Sequence, residues 1–363
     1  MQKNALVPLL WLSILSPIAG FSLGSQRRQQ QQQLVSARDF QSPTSLSLAV
    51  HSSNNSGSTT FPVSVRAELL KKAKELDRNL ADGKSLGSYS PNGWSNRVGL
   101  ALTPAALPGV YTGDRPFYWN RIDVGCRMCV IQLENSNDLW VHSPVGLDSA
   151  TKNALNKLGT VKYVVSPNYE HLKFAEQWYK EYPDAFMWGC PGLAEKLPNI
   201  EWEGEIPTGL LRPTREDQKQ NCWNFNEIVP LHLDMEVNPF TGKPFFNEVI
   251  FFHRPSKTLM TTDLFWNYPQ PEGVPNSHLN DSGEWELAPS VSSVPIGSLL
   301  WKQGMDKVYL PFYKNFMVNN RSYYDEVKKI ILDEWNVETL IPAHGDIIRG
   351  KEVIREVLSR HLS

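Results

Sequence analysis

The chain is short of several things, and each shortage excludes something. Four cysteines in 363 residues are too few to staple a chain of this length, so a disulfide framework is not its organising principle. The formal charge is only −2 and no basic stripe runs along the chain, which argues against nucleic acid as a partner. The apolar run near the start, Ala5 to Ile18, is interrupted by Pro8 and Pro17. It is too short and wrongly flanked to span a bilayer, so no integral membrane segment is expected in the mature chain. No internal repeat is present.

Acid is scarce in the first 60 residues. Lys3, Arg27, Arg28 and Arg38 stand against Asp39 alone, giving +3 there and −5 for the remainder. Residues 1–20 read as a secretory signal: Lys3, the apolar run, then the small residues Ala19 and Gly20. Residues 21–60 open on Phe21, carry Arg27-Arg28 and a glutamine run from Gln29 to Gln33, and continue rich in serine and threonine to Thr60. That is transit-peptide composition. A signal followed directly by such a segment resembles the bipartite plastid presequence of algae with secondary plastids, which implies a plastid destination. The secretory pathway is the alternative.

Apolar content is 41%, with twelve Trp and fifteen Phe, ample for a large core. Val65, Leu69, Leu70, Ala73 and Leu76 recur at helical spacing and predict a helix over Val63–Leu80. Residues 61–104 are read as this helix and a linker, and residues 105–363 as the main domain. Within it, Ile122–Leu133 and Leu139–His142 are predicted strands, joined by a turn at Asn135–Asp138. Asp148 is placed to cap a helix that ends at Gly159. A strand over Val161–Ser166, a helix from Glu170 to about Glu181 and a strand at Ala185–Trp188 follow. Residues 203–222 read as irregular, and Ile228–Leu233 as a strand.

The stretch Asn247–Trp266 is the most informative. Val249-Ile250-Phe251-Phe252 is a continuous apolar run, Arg254-Pro255-Ser256-Lys257 breaks it, and Thr258–Thr262 resumes strand-like composition. This predicts a buried β-hairpin that delivers Asp263 where the strand gives way to a loop. Residues from about 267 to 297 are rich in Pro, Gly and Ser and read as a surface insertion. Helices near Ser298–Gln303, Tyr323–Trp335 and Glu352–His361 surround a last strand, Glu338–Ile341, which runs into Pro342-Ala343-His344-Gly345-Asp346. Hairpins first, then β–α alternation, then a second hairpin and more helices give an α/β chain with two sheets and helices outside them.

Four polar side chains fall in or near the ends of predicted strands: His171, His232, Asp263 and His344. Histidines and a carboxylate brought together from separate strands are one way to build an open zinc or iron site. Taken alone, each of these histidines reads as a satisfied core or surface residue before it reads as a ligand.

Leu340-Ile-Pro-Ala-His-Gly-Asp346, downstream of Thr262-Asp263-Leu-Phe, resembles the metallo-β-lactamase-like hydrolase superfamily. More narrowly, Arg127-Met128, Leu139-Trp-Val-His-Ser-Pro144, Ser166-Pro-Asn168 with His171, and Asn247-Glu-Val-Ile-Phe-Phe-His-Arg-Pro-Ser256 resemble DUF4336, a family of unknown function placed in that superfamily. The resemblance covers roughly residues 105–363. It implies an αββα sandwich, with Asp263 in the place of the bridging aspartate and His344 in that of the late histidine ligand. His171 falls where the superfamily carries His-x-His-x-Asp-His, but this chain reads Ser-Pro-Asn-Tyr-Glu-His, so one imidazole of that signature remains. Asn168 and Glu170 are candidate oxygen donors, and His232 or His253 a candidate fourth ligand. What the resemblance implies is one divalent metal (Zn, Fe or Mn) or none, held by His171, Asp263 and His344 with His232. Asp263 and His344 are the implied catalytic residues. The implied substrate is a small ester, thioester or phosphoester. The alternative is a non-catalytic relative that keeps the scaffold for binding or assembly.

Cys126-Arg-Met-Cys129 is a CxxC, but a period of two along a strand puts its thiols on opposite faces, against zinc and against dithiol redox. Ser143 lacks a nucleophile elbow. The testable expectation is that residues 171, 263 and 344 meet at a common rim of the two sheets.

Overall fold

The computed structural model describes Ser95 and residues 100–106, 108–119, 122–210, 212–268, 277–279, 285–287 and 296–363. All of them belong to the unit Phe61–Ser363. The predicted presequence and the helix predicted over Val63–Leu80 lie outside the described residues.

Strands β1 (Thr103–Ala106) and β2 (Val110–Arg115) come first among the described residues, and a small pair, β3 (Tyr118–Trp119) and β4 (Ile122–Asp123), follows. Next come β5 (Cys126–Gln132), β6 (Asp138–His142), helix α1 (Ser149–Leu158), β7 (Thr160–Ser166), α2 (Ala175–Glu181), β8 (Phe186–Gly189), α3 (Leu193–Lys196) and β9 (Trp202–Glu205). These build a seven-stranded sheet ordered β1-β2-β5-β6-β7-β8-β9. Its first half pairs antiparallel and its second half, from β6 onward, parallel, because helical crossovers separate the later strands. Asp148 caps α1 by accepting from the Thr151 N–H, and the Gly159 N–H closes its end on Leu155.

The second sheet is β10 (Ile228–His232), β11 (Val249–His253), β12 (Thr258–Asn267), β15 (Thr339–Gly345) and β16 (Ile348–Arg349), in that order. Between β12 and β15 lie a short antiparallel pair, β13 (Ser277–Leu279) and β14 (Trp285–Leu287), then α4 (Ile296–Gly304) and α5 (Arg321–Lys329). Helix α6 (Lys351–Leu362) ends the chain. Among the described residues no helix is long and apolar enough to cross a membrane.

Three buried clusters set the layers. Met128, Val130, Val141 and Val164 pack with α1 and α2 on the outside of the first sheet. Cys129, Ile131, Trp140 and Val165 meet Phe251, Met260 and Ile341 between the sheets. Val229, Ile250, Phe252, Leu259 and Leu340 face α5 and α6. This is the αββα sandwich. Both faces of both sheets are covered, which is why strands such as Val249–Phe252 read as unbroken apolar runs instead of alternating. Trp140, Trp223 and Phe251 form the centre of the inter-sheet layer, with ring centroids 5.0–6.1 Å apart. Cys126 and Cys129 do face opposite layers. All four cysteines are free, and burial pushes both of these thiols up to about 12.

One buried residue works against stability. His142, 1% exposed, lies flat against Trp140 (5.8 Å, 14°) with Phe251 edge-on (5.3 Å), and neither ring nitrogen has a hydrogen-bond partner. Burial first, then His171, pushes its pKa down to about 3. The folded value lies below the unfolded one, so the stability at stake is intact above about pH 6.5 and is lost as pH falls toward 3, by up to about 1.4 kcal/mol per pH unit. Replacing His142 by phenylalanine is expected to stabilise the fold by about 1–3 kcal/mol at pH 7 by removing an unpaired buried polar group. The gap should widen by about 2 kcal/mol at pH 5. Urea midpoints at the two pH values measure both; equal midpoints at both would refute the assignment.

Candidate metal centre

The site stands at the C-terminal ends of β6, β7 and β15, where loops held by a rigid sheet present polar side chains. After β7, the Asn168 Oδ1 accepts from the N–H groups of Glu170 (3.0 Å) and His171 (2.8 Å). This side-chain turn occupies residues 168–171 and delays helix α2, predicted from Glu170, until Ala175. The turn aims His171 inward. Because its Oδ1 is taken by two backbone donors, Asn168 presents only its Nδ2, which donates to Asp263 Oδ2 (2.6 Å) and Thr262 Oγ1 (3.0 Å). Asn168 is a donor here, so its expected role as an oxygen ligand is overturned.

Asp263 reaches the site differently from the prediction. Strand β12 does not stop at Asp263 but continues to Asn267. Thr261 pairs with Pro342 and Trp266 with His344 on β15, so β12 uses three more residues than its partner over this interval. The surplus is a bulge, and Asp263 sits in it. Leu264-Phe265-Trp266 is the apolar signal that the strand resumes.

His344 is fixed from several sides. Its Nδ1 faces the carbonyls of Gly125 (2.9 Å) and Val124 (3.3 Å), which only accept, so that nitrogen carries the proton and Nε2 is the free lone pair of the neutral ring. Trp266 stacks on the imidazole at 4.2 Å and 20°. Arg127 Nη1 donates to the carbonyls of Pro342 (2.8 Å) and Gly345 (2.5 Å), while the rest of its guanidinium forks onto Asp114 at 2.7 and 2.9 Å. Gly345 has φ +97 and no room for a Cβ, which would overlap the Asn267 carbonyl.

These elements bring together His171, Asp263 and His344. His171 Nε2 lies 3.2 Å from His344 Nε2 and 3.4 Å from Asp263 Oδ2, and His344 Nε2 lies 3.5 Å from Asp263 Oδ1. Donors about 2.0–2.1 Å from a tetrahedral cation stand about 3.3 Å apart, whereas the octahedral arrangement that magnesium demands would bring them to about 2.9 Å. The separations, taken to whichever Asp263 oxygen is nearer each ring, are of the size a tetrahedral cation sets, and one ligand atom from each residue lies within 4.8 Å of the others. All three side chains are buried, 5% exposed for His171, 3% for Asp263 and 5% for His344. Without a cation, two imidazole lone pairs at 3.2 Å would repel, so His171 Nε2 must then carry the proton. The Ser143 hydroxyl, 2.7 Å from His171 Nδ1, can donate or accept and so matches either state.

Burial alone would raise the Asp263 carboxyl, but His171 and His344 outweigh it and hold it well below the usual carboxylate range. Burial pushes His171 down, against the pull of Asp263. Glu170, largely buried and near Asp263, is pushed up to about 7.

His232 is not in the group. Its Nδ1 meets Thr208 Oγ1 (2.8 Å) and its Nε2 meets Asn247 Oδ1 (3.0 Å), so it pins β10 to the segment around residue 208. His253 turns to Ser256 Oγ at 2.6 Å inside the hairpin end. Neither is a ligand at this centre. Ser143, His171 and Asp263 also line up as a hydroxyl, an imidazole and a carboxylate, but Ser143 is 1% exposed and sealed from any substrate carbonyl, so it braces the ring. Sequence reasoning passed over the clamp by Arg127. A lone arginine inside the apolar run Cys126–Gln132, in register with Asp114 on β2, is the signal that could have found it.

Residues 109–278 match the family described as "Domain of unknown function (DUF4336)". The matched segment holds His171 and Asp263 and ends before His344. No curated protein matches the chain. Similar solved structures include the metal-soaked Flv1 flavodiiron core from Synechocystis sp. PCC6803, with 13% identity over 72% of this chain and 59% of that one and a TM-score of 0.43. They also include the metallo-β-lactamase FIM-1 from Pseudomonas aeruginosa in its mono-zinc form (8% identity, 77% and 99%, TM-score 0.43) and a metallo-β-lactamase from Hirschia baltica (7%, 72% and 95%, TM-score 0.42). The αββα layer order and strand topology stand independently of these likenesses.

Proposed function

We propose that the chain is a single-metal hydrolase that binds one zinc ion through His171, Asp263 and His344 and cleaves a small ester, thioester or phosphoester. The observation that supports it is the convergence of two imidazoles 3.2 Å apart with a carboxylate whose two oxygens lie 3.4 and 3.5 Å from them, a donor set that suits a tetrahedral cation with one position left open. A divalent cation there supplies Lewis acidity toward a substrate oxygen. The chain's own groups do the rest. Asn168 orients the Asp263 carboxylate, the Gly125 carbonyl holds the proton on His344 Nδ1, and Ser143 moves or holds the proton at His171 Nδ1. Residues 1–20 and 21–60 are proposed to act as signal and transit segments for a plastid, which a fluorescent fusion of residues 1–60 tests by where it accumulates.

The assay is metal content followed by turnover of p-nitrophenyl esters, an acyl thioester and bis-p-nitrophenyl phosphate by the zinc-reconstituted full-length chain. Turnover that disappears in Asp263→Ala and His171→Ala supports the reading. Less than about a tenth of an equivalent of any transition metal after reconstitution rejects it. Stoichiometric zinc with no turnover on any of these substrates favours the alternative, a metal-bearing scaffold for binding or assembly.

A further inference from the structure

Beta-strand pairing between β11 and β12 is observed from Phe251 with Met260 to His253 with Thr258. Extended by register, it would place Glu248 opposite Asp263. The ladder has ended there. On its other side β12 has left β15, because Thr262, Asp263 and Leu264 belong to the bulge between the Thr261 and Trp266 pairings. Three consecutive N–H groups are thus left without backbone acceptors, inside a buried strand where each unpaired donor is costly. Glu248 takes all three. Its Oε1 accepts from Thr262 (2.6 Å), and its Oε2 accepts from Asp263 (2.9 Å) and Leu264 (2.7 Å). On the far side of the bulge the Trp266 indole Nε1 donates to the Asp263 carbonyl (3.2 Å). Both backbone polar atoms of Asp263 are therefore held by side chains and none by a neighbouring strand.

We infer that Glu248 is a positioning residue for the metal centre: its carboxylate stands in for the missing strand and locks the bulge that aims Asp263 at His171 and His344. The inference rests on the proposed metal reading. Glu248 touches no donor atom of the centre and acts only through the backbone of residues 262–264. It is 2% exposed; burial and the nearby Asp263 push its carboxyl up to about 8, against the pull of the Thr262 and Leu264 N–H groups, and it is the side chain of this length whose two ends can both accept. Glutamine has the same shape but would turn an NH2 toward one or two of these N–H groups.

A neighbouring residue supplies the control. Glu236, 4% exposed, also accepts backbone N–H groups, from Phe246 (3.1 Å) and Asn247 (2.8 Å), but it makes no bond to residues 262–264. Glu236→Gln should lower stability without touching the centre, so it reports what the loss of a buried carboxylate brace does by itself.

The experiment compares the full-length chain with Glu248→Gln and Glu236→Gln by two readouts. One is titration with cobalt(II), followed by its visible absorption. The other is the ring 15N signals of His171 and His344 in the metal-free protein. Glu248→Gln is expected to weaken cobalt affinity by about 10–100-fold, to reduce the absorption and to move both ring signals. Glu236→Gln should leave all three unchanged. Trp266→Phe keeps the ring over His344 but loses the indole donor, and it should displace the same signals less far, which serves if Glu248→Gln does not fold. Wild-type affinity and wild-type ring signals in Glu248→Gln, or equal changes in both glutamine variants, would overturn the inference. A wild-type chain that takes up no cobalt defeats the metal reading instead, and the ring signals then decide the positioning role by themselves.

Discussion

Replacing His344 by alanine is expected to lower zinc affinity by on the order of a thousandfold, about 4 kcal/mol, since three protein ligands share a binding free energy of roughly 10–16 kcal/mol. The loss should be nearly this large even though the ring is only one of three donors. The remaining pair, His171 and Asp263, is set for a cation that touches all three, and the Asn168 bond at 2.6 Å to Asp263 Oδ2 limits how far the carboxylate can follow. The fold should survive, because outside the centre itself His344 hydrogen-bonds only the Gly125 and Val124 carbonyls. Isothermal titration of wild type and variant, with circular dichroism to check folding, measures both. A folded His344→Ala chain that binds zinc as tightly as wild type would place the ion elsewhere.

The second large effect belongs to Arg127. The guanidinium, 5% exposed, joins Asp114 on the first sheet to the end of β15 on the second, and so connects the two sheets beside the centre. Arg127→Met leaves the Asp114 carboxylate and two carbonyls unpaired, and it should cost about 3–5 kcal/mol of stability. The double variant Arg127→Met/Asp114→Leu removes the stranded charge and should recover most of that loss. Metal affinity should not recover with it, because the carbonyls of Pro342 and Gly345 that flank His344 remain untied. Chemical denaturation and zinc titration of the single and double variants separate the two effects. Recovery of both together would mean that Arg127 serves stability alone.

The sandwich was largely legible because both sheets are buried on both faces. Val249–Phe252 is a continuous apolar run and Val161–Ser166 a short, largely apolar strand, both with clear breakers, and Asp148 and Gly159 mark both ends of α1. Strands β1, β2 and β9 were not legible. Thr103-Pro-Ala-Ala, Val110–Arg115 with Gly113, and Trp202-Glu-Gly-Glu have weak strand propensity, and they pair because neighbouring strands offer free ladders. At the centre, the residue types were readable but the device that aims them was not. Asp263 is expected at a strand end, and the alternation of a continuing strand hides a three-residue bulge whose brace, Glu248, sits fifteen residues away. His232 was misread for a related reason. A histidine on a buried strand looks the same in sequence whether its ring meets a cation or, as here, the side chains of Thr208 and Asn247.

The most direct measurement is X-ray absorption at the zinc edge on the reconstituted full-length chain. The account predicts one equivalent of zinc with nitrogen and oxygen neighbours at about 2.0–2.1 Å, two of them imidazoles, and no sulfur. Substoichiometric metal, a sulfur shell at about 2.3 Å, or a single imidazole would contradict it.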